Sequence, residues 1–185
     1  MSEAATEDRR VRRTRKALWT ALLELLHEHS WDDINIRMIC DRADVARSSF
    51  YVHFRNKSAL LDFGFAGTVQ ELEGMIEQNT MSNGPLGTLD WLVDHIASDT
   101  RFFQNVFQTA SNYAVFRRFS ETLKLVLHTE LKARNHIADT IAVTYLVGGS
   151  FAIIQEWIAQ GQNTSSAELK GCLHRYALMV VPDIG

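Results

Sequence analysis

Residues 35 to 54 read NIRMICDRADVARSSFYVHF, and few backbones suit such a stretch. Ile36, Ile39 and Cys40 recur at i, i+3, i+4, the spacing of one helical face, and Asn35 in front of them is a residue type that caps free N–H groups. The run Ala43-Asp44-Val45 interrupts the period. Asp44 can enter the left-handed backbone region that a tight reversal usually demands, though less easily than glycine. A second helix is expected from Arg47 to His53, anchored from behind by Phe50 and Phe54 at i, i+4 and locked onto the first by Val45. Two short helices around one turn form a helix-turn-helix.

The side chains left outside suit DNA better than catalysis. Arg47, Ser48, Ser49, Tyr51 and His53 are donors short enough to lie in a major groove, while Arg37 and Arg42 are expected to point outward from the first helix. Arg47, Ser48 and Ser49 are the expected base-edge contacts, with Arg47 as guanine reader. Tyr51, His53, Lys57, Arg37 and the Arg12-Arg13 pair are expected to hold phosphates. Asn56 is a further cap, placing Lys57 in the first turn of the next helix.

Thr14 to Leu61, with SFYVHFRNKSALL as its most telling part, resembles the N-terminal DNA-binding domain of TetR-family transcriptional regulators. The sequence departs from that pattern at Asp44, where the family usually has glycine, at Ala46, where it often has a Ser or Thr cap, and at Ser58, where an acidic residue is common. The resemblance implies an all-α chain with a three-helix DNA-binding domain over 12–72 and a helical effector-binding and dimerisation domain over 73–185. It also implies symmetric dimerisation. The segment GGSFAIIQEWIAQG further resembles the C-terminal domain of a branch that includes the dihydroxyacetone kinase operon activator.

Charge is distributed to match. Residues 9–57 hold eleven Lys/Arg against six Asp/Glu, whereas residues 58–185 hold eight against thirteen, so a net charge of -3 conceals a basic head and an acidic body. RRVRRTRK at 9–16 is expected to touch phosphates or the minor groove, and the acidic residues 1–8 before it are expected to be disordered. There is no run of eighteen apolar residues and no signal peptide is expected, which points to a cytoplasmic protein with no membrane partner. Cys40 and Cys172 read as buried free thiols.

Leu18, Leu22, Leu25 and Leu26 predict a first helix whose stripe covers the helix-turn-helix, with Trp31 plugging the corner; His27 and His29, on different faces, predict helix-end or surface roles. A lever helix is expected over 56–78, weakened at Gly64, Gly67 and Gly74, and is broken by MSNGP at 81–85. Further helices are expected at 86–98, 100–109, 111–133, 135–160 and 166–181.

The aromatics Trp91, Phe102, Phe103, Phe107, Tyr113, Phe116 and Phe119 serve equally as core or as pocket wall. Trp91, His95, Phe103, Phe107, Tyr113 and Tyr145 are the expected pocket, suited to a small, largely apolar or aromatic effector, with Gln104, Gln108 and Asn112 as further polar candidates. Ile137, Ile141, Tyr145, Phe151, Ile154, Trp157 and Ile158 read as one stripe that needs a second partner. Gly148, Gly149, Ala152, Trp157, Leu173 and Tyr176 are the expected dimer interface of a four-helix bundle. His95, His128, His136 and His174 form no catalytic or metal-binding constellation, so neither an enzyme, a metal nor a cofactor is expected. The combined reading is a homodimeric, ligand-responsive regulator, expected to repress, on a pseudo-palindromic double-stranded operator. A DNA-binding architectural or protein-interaction regulator without an effector is the alternative.

Overall fold

The structure, a computed structural model, describes residues 3–81, 84, 86–134, 136 and 139–182, without the side chains of residues 3–8 and 108. The chain runs α1 (Glu3–Glu28), α2 (Ile36–Ala43), α3 (Arg47–His53), α4 (Lys57–Glu77), α5 (Gly87–Ser98), α6 (Thr100–Gln108), a 3-10 turn (Ala110–Asn112), α7 (Tyr113–Ala133), α8 (Thr140–Ala159) and α9 (Ser166–Val180). Among the described residues there is no strand. Ser82, Asn83 and Pro85 of the expected breaker, and Ile137 of the expected stripe, lie outside the described residues. The expectation of a disordered leader is corrected, because α1 begins at Glu3. Alanine and glutamate there are good helix formers, and acidic residues suit the positive end of a helix.

Local signals set the element ends. The Asn35 side chain accepts from Met38 N–H at 3.1 Å, the Asn56 side chain from Ala59 N–H at 2.9 Å, and Asp99 and Ser165 cap α6 and α9 in the same way. Asp44 sits at φ 53, ψ 48, and the Val45 N–H behind it closes on the Cys40 carbonyl at 3.0 Å. The turn thus adopts the left-handed geometry without glycine.

Two cores result. Leu18, Leu22, Leu25 and Leu26 of α1 bury against Trp31, Ile34, Ile39, Cys40, Phe50, Phe54, Leu60 and Leu61, and this head core also takes in Val106 and Val115 from beyond α5. The body core gathers the inner faces of α5 to α9. The α4 helix joins them by packing along α7, pinned by Asp62 to Arg118 and by Glu73 to the Thr129 hydroxyl at 3.1 Å. The start of α5 is capped from across the body: the Glu130 carboxylate, 2% exposed, accepts from Gly87 N–H at 2.6 Å and Thr88 N–H at 2.9 Å.

Gly64 is not a weak point in the lever. A Cβ there would lie 2.3 Å from the Trp19 ring, so glycine is what lets α1 and α4 close together. Gly64→Ala should therefore destabilise the fold by roughly 1–3 kcal/mol through overpacking. Gly67→Ala, whose Cβ would meet nothing within 4 Å, should be neutral or stabilising. Thermal melts of the two variants check this; equal melting temperatures would refute the close-approach reading.

Candidate nucleic-acid interface and the body behind it

The recognition helix α3 turns Phe50 fully inward and leaves Arg47, Ser48, Tyr51 and Val52 exposed, with Ser49 half-buried. Its first turn lacks a side-chain cap at Ala46, yet Phe50 N–H closes on the Ala46 carbonyl at 3.1 Å, so the helix starts where the sequence places it. Tyr51 stands edge-on to Phe50 with ring centroids 5.6 Å apart, which fixes its ring beside the outer face.

The cations divide into two groups. Arg12, Arg13, Arg47 and Arg55 are exposed, as is Arg37, which makes only a long 3.5 Å contact to Asp41. Arg42 is exposed, as expected, but it is engaged there. It lies in a two-pronged pair with Glu28 at 3.0 and 2.8 Å and reaches Glu24 at 3.5 Å, because α2 packs beside the acidic end of α1. Arg15, not singled out in the sequence, stands 5.8 Å from the ring centres of both Phe54 and Phe63.

Two expected phosphate ligands sit differently from the sequence reading. Lys57 points its ammonium at the carbonyls of Trp31 (2.5 Å) and Ile34 (2.7 Å) and lies 4.5 Å from the Trp31 ring. Desolvation lowers its pKa, against the opposing pull of Asp32 and Asp33. His53 is half-buried, and desolvation followed by the neighbouring Arg15 lowers its pKa as well. Its imidazole is thereby biased toward the neutral form.

The corner that Lys57 grips is also held from the body. Trp31 N–H donates to the Asn112 Oδ1 at 2.6 Å; Asn112 is fully buried, and its amide donates to the Asn105 carbonyl on α6 at 3.2 Å. At the other end of α6, Asp99 accepts from Phe102 N–H and meets His27 Nε2 at 2.6 Å, while the His27 ring lies tilted against Phe102 with centroids 4.7 Å apart. Thus α6 is tied to the end of α1 at both of its own ends. Asn112, expected as a pocket polar group, is instead part of this tie.

Trp91, His95, Phe103 and Phe107 come together. Trp91 and His95 stack at 4.4 Å, His95 meets Phe103 at 5.2 Å, and Phe103 meets Phe107 at 5.8 Å. Phe119 is the hub, within 6.5 Å of Trp91, His95, Phe103, Phe65 and Phe151. The sequence reading missed Phe65 as part of this cluster, since it lies on the helix leaving the head. His95 keeps accessible surface, yet desolvation lowers its pKa against Asp99 and Glu71.

Tyr113 and Tyr145 do not join the cluster. Tyr113 is 63% exposed at the start of α7, and Tyr145, 65% exposed, lines a groove of about 660 Å³ between α8 and α9 with Gly149, Ala152, Cys172 and Tyr176. The α8 stripe is also corrected: Phe151, Ile154, Trp157 and Ile158 face the core, while Ile141 (77% exposed) and Tyr145 stand on the other side. Trp157 and Leu173, expected in the interface, are buried within the subunit and touch the groove only at its floor. Cys172 is a half-buried free thiol, unlike the fully buried Cys40. By length and composition α8 could cross a membrane, with mean hydropathy 1.4; apolar side chains on both its sides account for that value.

An exposed donor helix on a compact basic head, joined through α4 to a helical body, defines a helix-turn-helix DNA-binding transcriptional regulator. Residues 18–62 match the model described as bacterial regulatory proteins, tetR family, and residues 86–177 match a transcriptional regulator C-terminal region. The chain belongs to the TetR family. It is 26% identical over 156 residues to the HTH-type dhaKLM operon transcriptional activator DhaS of Lactococcus lactis subsp. lactis (strain IL1403), covering 81% of this chain and 82% of that protein. Similar solved folds include a TetR regulator from Streptococcus agalactiae 2603V (19% identity, TM-score 0.66, 95% and 99% of the two chains). Another is FadR from Bacillus subtilis in complex with stearoyl-CoA (14%, 0.58, 92% and 99%). The match to the DhaS branch agrees with the resemblance seen in the sequence.

Two outcomes follow from this geometry. Lys57→Met orphans two carbonyls and should cost about 1–3 kcal/mol of stability, whereas Arg47→Ala on the exposed face should leave the melting temperature nearly unchanged. Equal melting temperatures would remove Lys57 from the corner. For His27, burial opposes its charge, but the Leu23 carbonyl on Nδ1 and Asp99 on Nε2 outweigh it and raise the pKa. A raised folded-state pKa gives stability that is complete below the unfolded value of about 6.5 and is lost as pH rises through the folded value. His27→Gln should therefore narrow the stability gap to wild type as pH rises from 6 to 8. A gap constant with pH would show that His27 titrates alike in both states.

Proposed function

We propose that the chain works as a homodimer on a pseudo-palindromic operator, repressing by occupancy, with residues 12–72 as the DNA-binding head and 73–185 as the effector and dimerisation body. The observation that carries the DNA contact is α3, whose buried Phe50 fixes an outer face of Arg47, Ser48 and Tyr51. Arg47 reads guanine, Ser48 and Ser49 contact base edges, and Tyr51, Arg37, Arg12 and Arg13 hold phosphates. His53 and Lys57 are weaker candidates for phosphate contact, because one is biased toward neutrality and the other is engaged with carbonyls.

The support for a dimer is the face opposite the core of α8 and α9. Ile141, Tyr145, Tyr176 and Met179 (76% exposed) stand there with Gly148, whose added Cβ would meet nothing within the subunit. A second copy gives each of these a partner and sets two recognition helices roughly 34–36 Å apart, one turn of DNA. The support for an effector is the ring cluster around His95. Neutral imidazole among aromatic walls fits a small, largely apolar or aromatic molecule carrying one hydrogen-bonding group, and FadR shows a related fold bound to stearoyl-CoA. The effector acts by preferring one head separation; a tenfold change in operator affinity needs only about 1.4 kcal/mol of coupling.

The test is to select duplexes from a random library, then measure affinity against salt. Arg47→Ala should relax sequence preference, and loss of Arg12 and Arg13 should reduce the salt slope. Unchanged affinity and preference in both variants would overturn the contact assignment. The double variant Ile141→Glu, Met179→Glu should sediment as a monomer with an unaltered helical spectrum and bind the duplex at least about tenfold more weakly. A wild-type chain that sediments as one subunit would end the dimer proposal.

A further inference from the structure

The recognition helix carries one residue that neither phosphate nor hydrogen-bonding chemistry explains. Val52 is 79% exposed, the highest value among the exposed large apolar side chains of the described residues. Most of the others, Ile141, Tyr145, Tyr176, Leu178 and Met179, belong to α8 and α9 and lie on or beside the face assigned above to a second copy. Val52 instead lies on a seven-residue helix whose buried side is already filled by Phe50. It is one helical turn beyond the exposed Ser48, so the two stand on one stripe of the outer face, flanked by Arg47 and Tyr51 on the next.

Valine is a poor choice there for local reasons. It is β-branched, a weaker helix former than the alanine, lysine or glutamine that would keep a short solvated helix soluble, and its side chain gains nothing from water. A surface dedicated to DNA narrows what it can meet. Bases in the major groove present donors, acceptors and one apolar group, the C5-methyl of thymine. The surrounding cations hold α3 against an anionic duplex, which excludes an apolar protein partner from the same face while DNA is bound.

We propose that Val52 is a specificity-determining residue that selects thymine in each half-site by packing its two methyl groups on the C5-methyl of the base. This rests on the DNA-reading role of α3 given above and adds the base that is read. Ser48, one turn nearer the start of the helix, takes the hydrogen-bonding partner of the same local sequence, so the stripe reads one polar and one apolar feature.

The experiment uses the full-length protein and the duplex it enriches from the random library. Each thymine of the enriched half-site is replaced in turn by deoxyuridine, which removes the methyl group and leaves every hydrogen-bonding group in place. One position should weaken wild-type binding about fourfold per half-site, the worth of one buried methyl-sized group. Val52→Ala should weaken binding by a similar factor on the thymine duplex and lose all sensitivity to uracil at that position. Tyr51→Phe should keep the sensitivity. Because Val52 is on the surface, its variant should melt with the wild type, separating contact loss from unfolding.

Tight wild-type binding that ignores uracil at every position would overturn this inference alone. So would Val52→Ala retaining the full uracil effect, which would place Val52 on sugar or phosphate. Failure to enrich any duplex would overturn the DNA-reading role and this inference with it.

Discussion

The Trp31 peptide is the joint on which the arrangement turns. Its N–H is taken by Asn112 from the body, its carbonyl by Lys57 from α4, and its indole, 5% exposed, fills the head core beneath Lys57. Backbone groups so placed are largely withdrawn from water, so losing a partner costs about 1–3 kcal/mol. The partners come from two different parts of the chain. The corner before α2 is therefore defined by the body and by α4 as much as by α1. The inclusion of Val106 and Val115 in the head core has the same consequence, since the head cannot pack fully without the facing ends of α6 and α7.

Charge segregation works at a longer range than these bonds. The head presents exposed arginines on α1, α2, α3 and the bend after α3, while others of its cations are engaged: the exposed Arg42 by Glu28 and Glu24, the half-buried Arg15 by two rings and Lys57 by carbonyls. A count of basic residues thus overstates the charge available to a duplex, and the guanidinium groups exposed on the outer face contribute most to the field there. The body neutralises itself differently. Its buried acids serve backbone and histidine, as Glu130 does at the start of α5 and as Asp90 does with His174 at 2.8 Å.

The head was legible from the sequence because its signals are local. Helical spacing, the Asn35 and Asn56 caps and the left-handed Asp44 each act within a few residues, and the structure reproduces them one by one. What the sequence concealed depends on residues far apart. Lys57 occupies the position of a surface cation and gives no hint that Trp31 and Ile34, some two dozen positions earlier, offer it carbonyls. Gly64 reads as a flaw until Trp19 is seen against it. The aromatic cluster is partly visible in the sequence: Trp91, His95, Phe103, Phe107 and Phe119 stand out there, but Tyr113 and Tyr145 do so by residue type alone, and Phe65 lies within the span expected for the lever. In α8, apolar residues occur all round the helix, so periodicity cannot divide core side from outer side; packing against α6, α7 and α9 does so.

The relative strength of the two ties on α6 bears on how the proposed effector reaches the head. His27 and Asp99 are 47% and 42% exposed, and a pair so wet contributes little, a few tenths to about 1 kcal/mol. The link through Asn112 is better shielded: Asn112 itself is fully buried, its bond to Trp31 N–H is buried and its bond to the Asn105 carbonyl is part-buried, and Asn105 and Phe103 belong to the same helix. A close-packed interior resists small continuous shifts and favours discrete ones. The link through Asn112, rather than the wet His27 pair, is therefore the stronger of the two ties between α6 and the corner before α2. The four-residue interval between Phe103 and Phe107 puts both rings on one side of α6, so the helix, rather than any single side chain, joins the ring cluster to the Asn105 carbonyl.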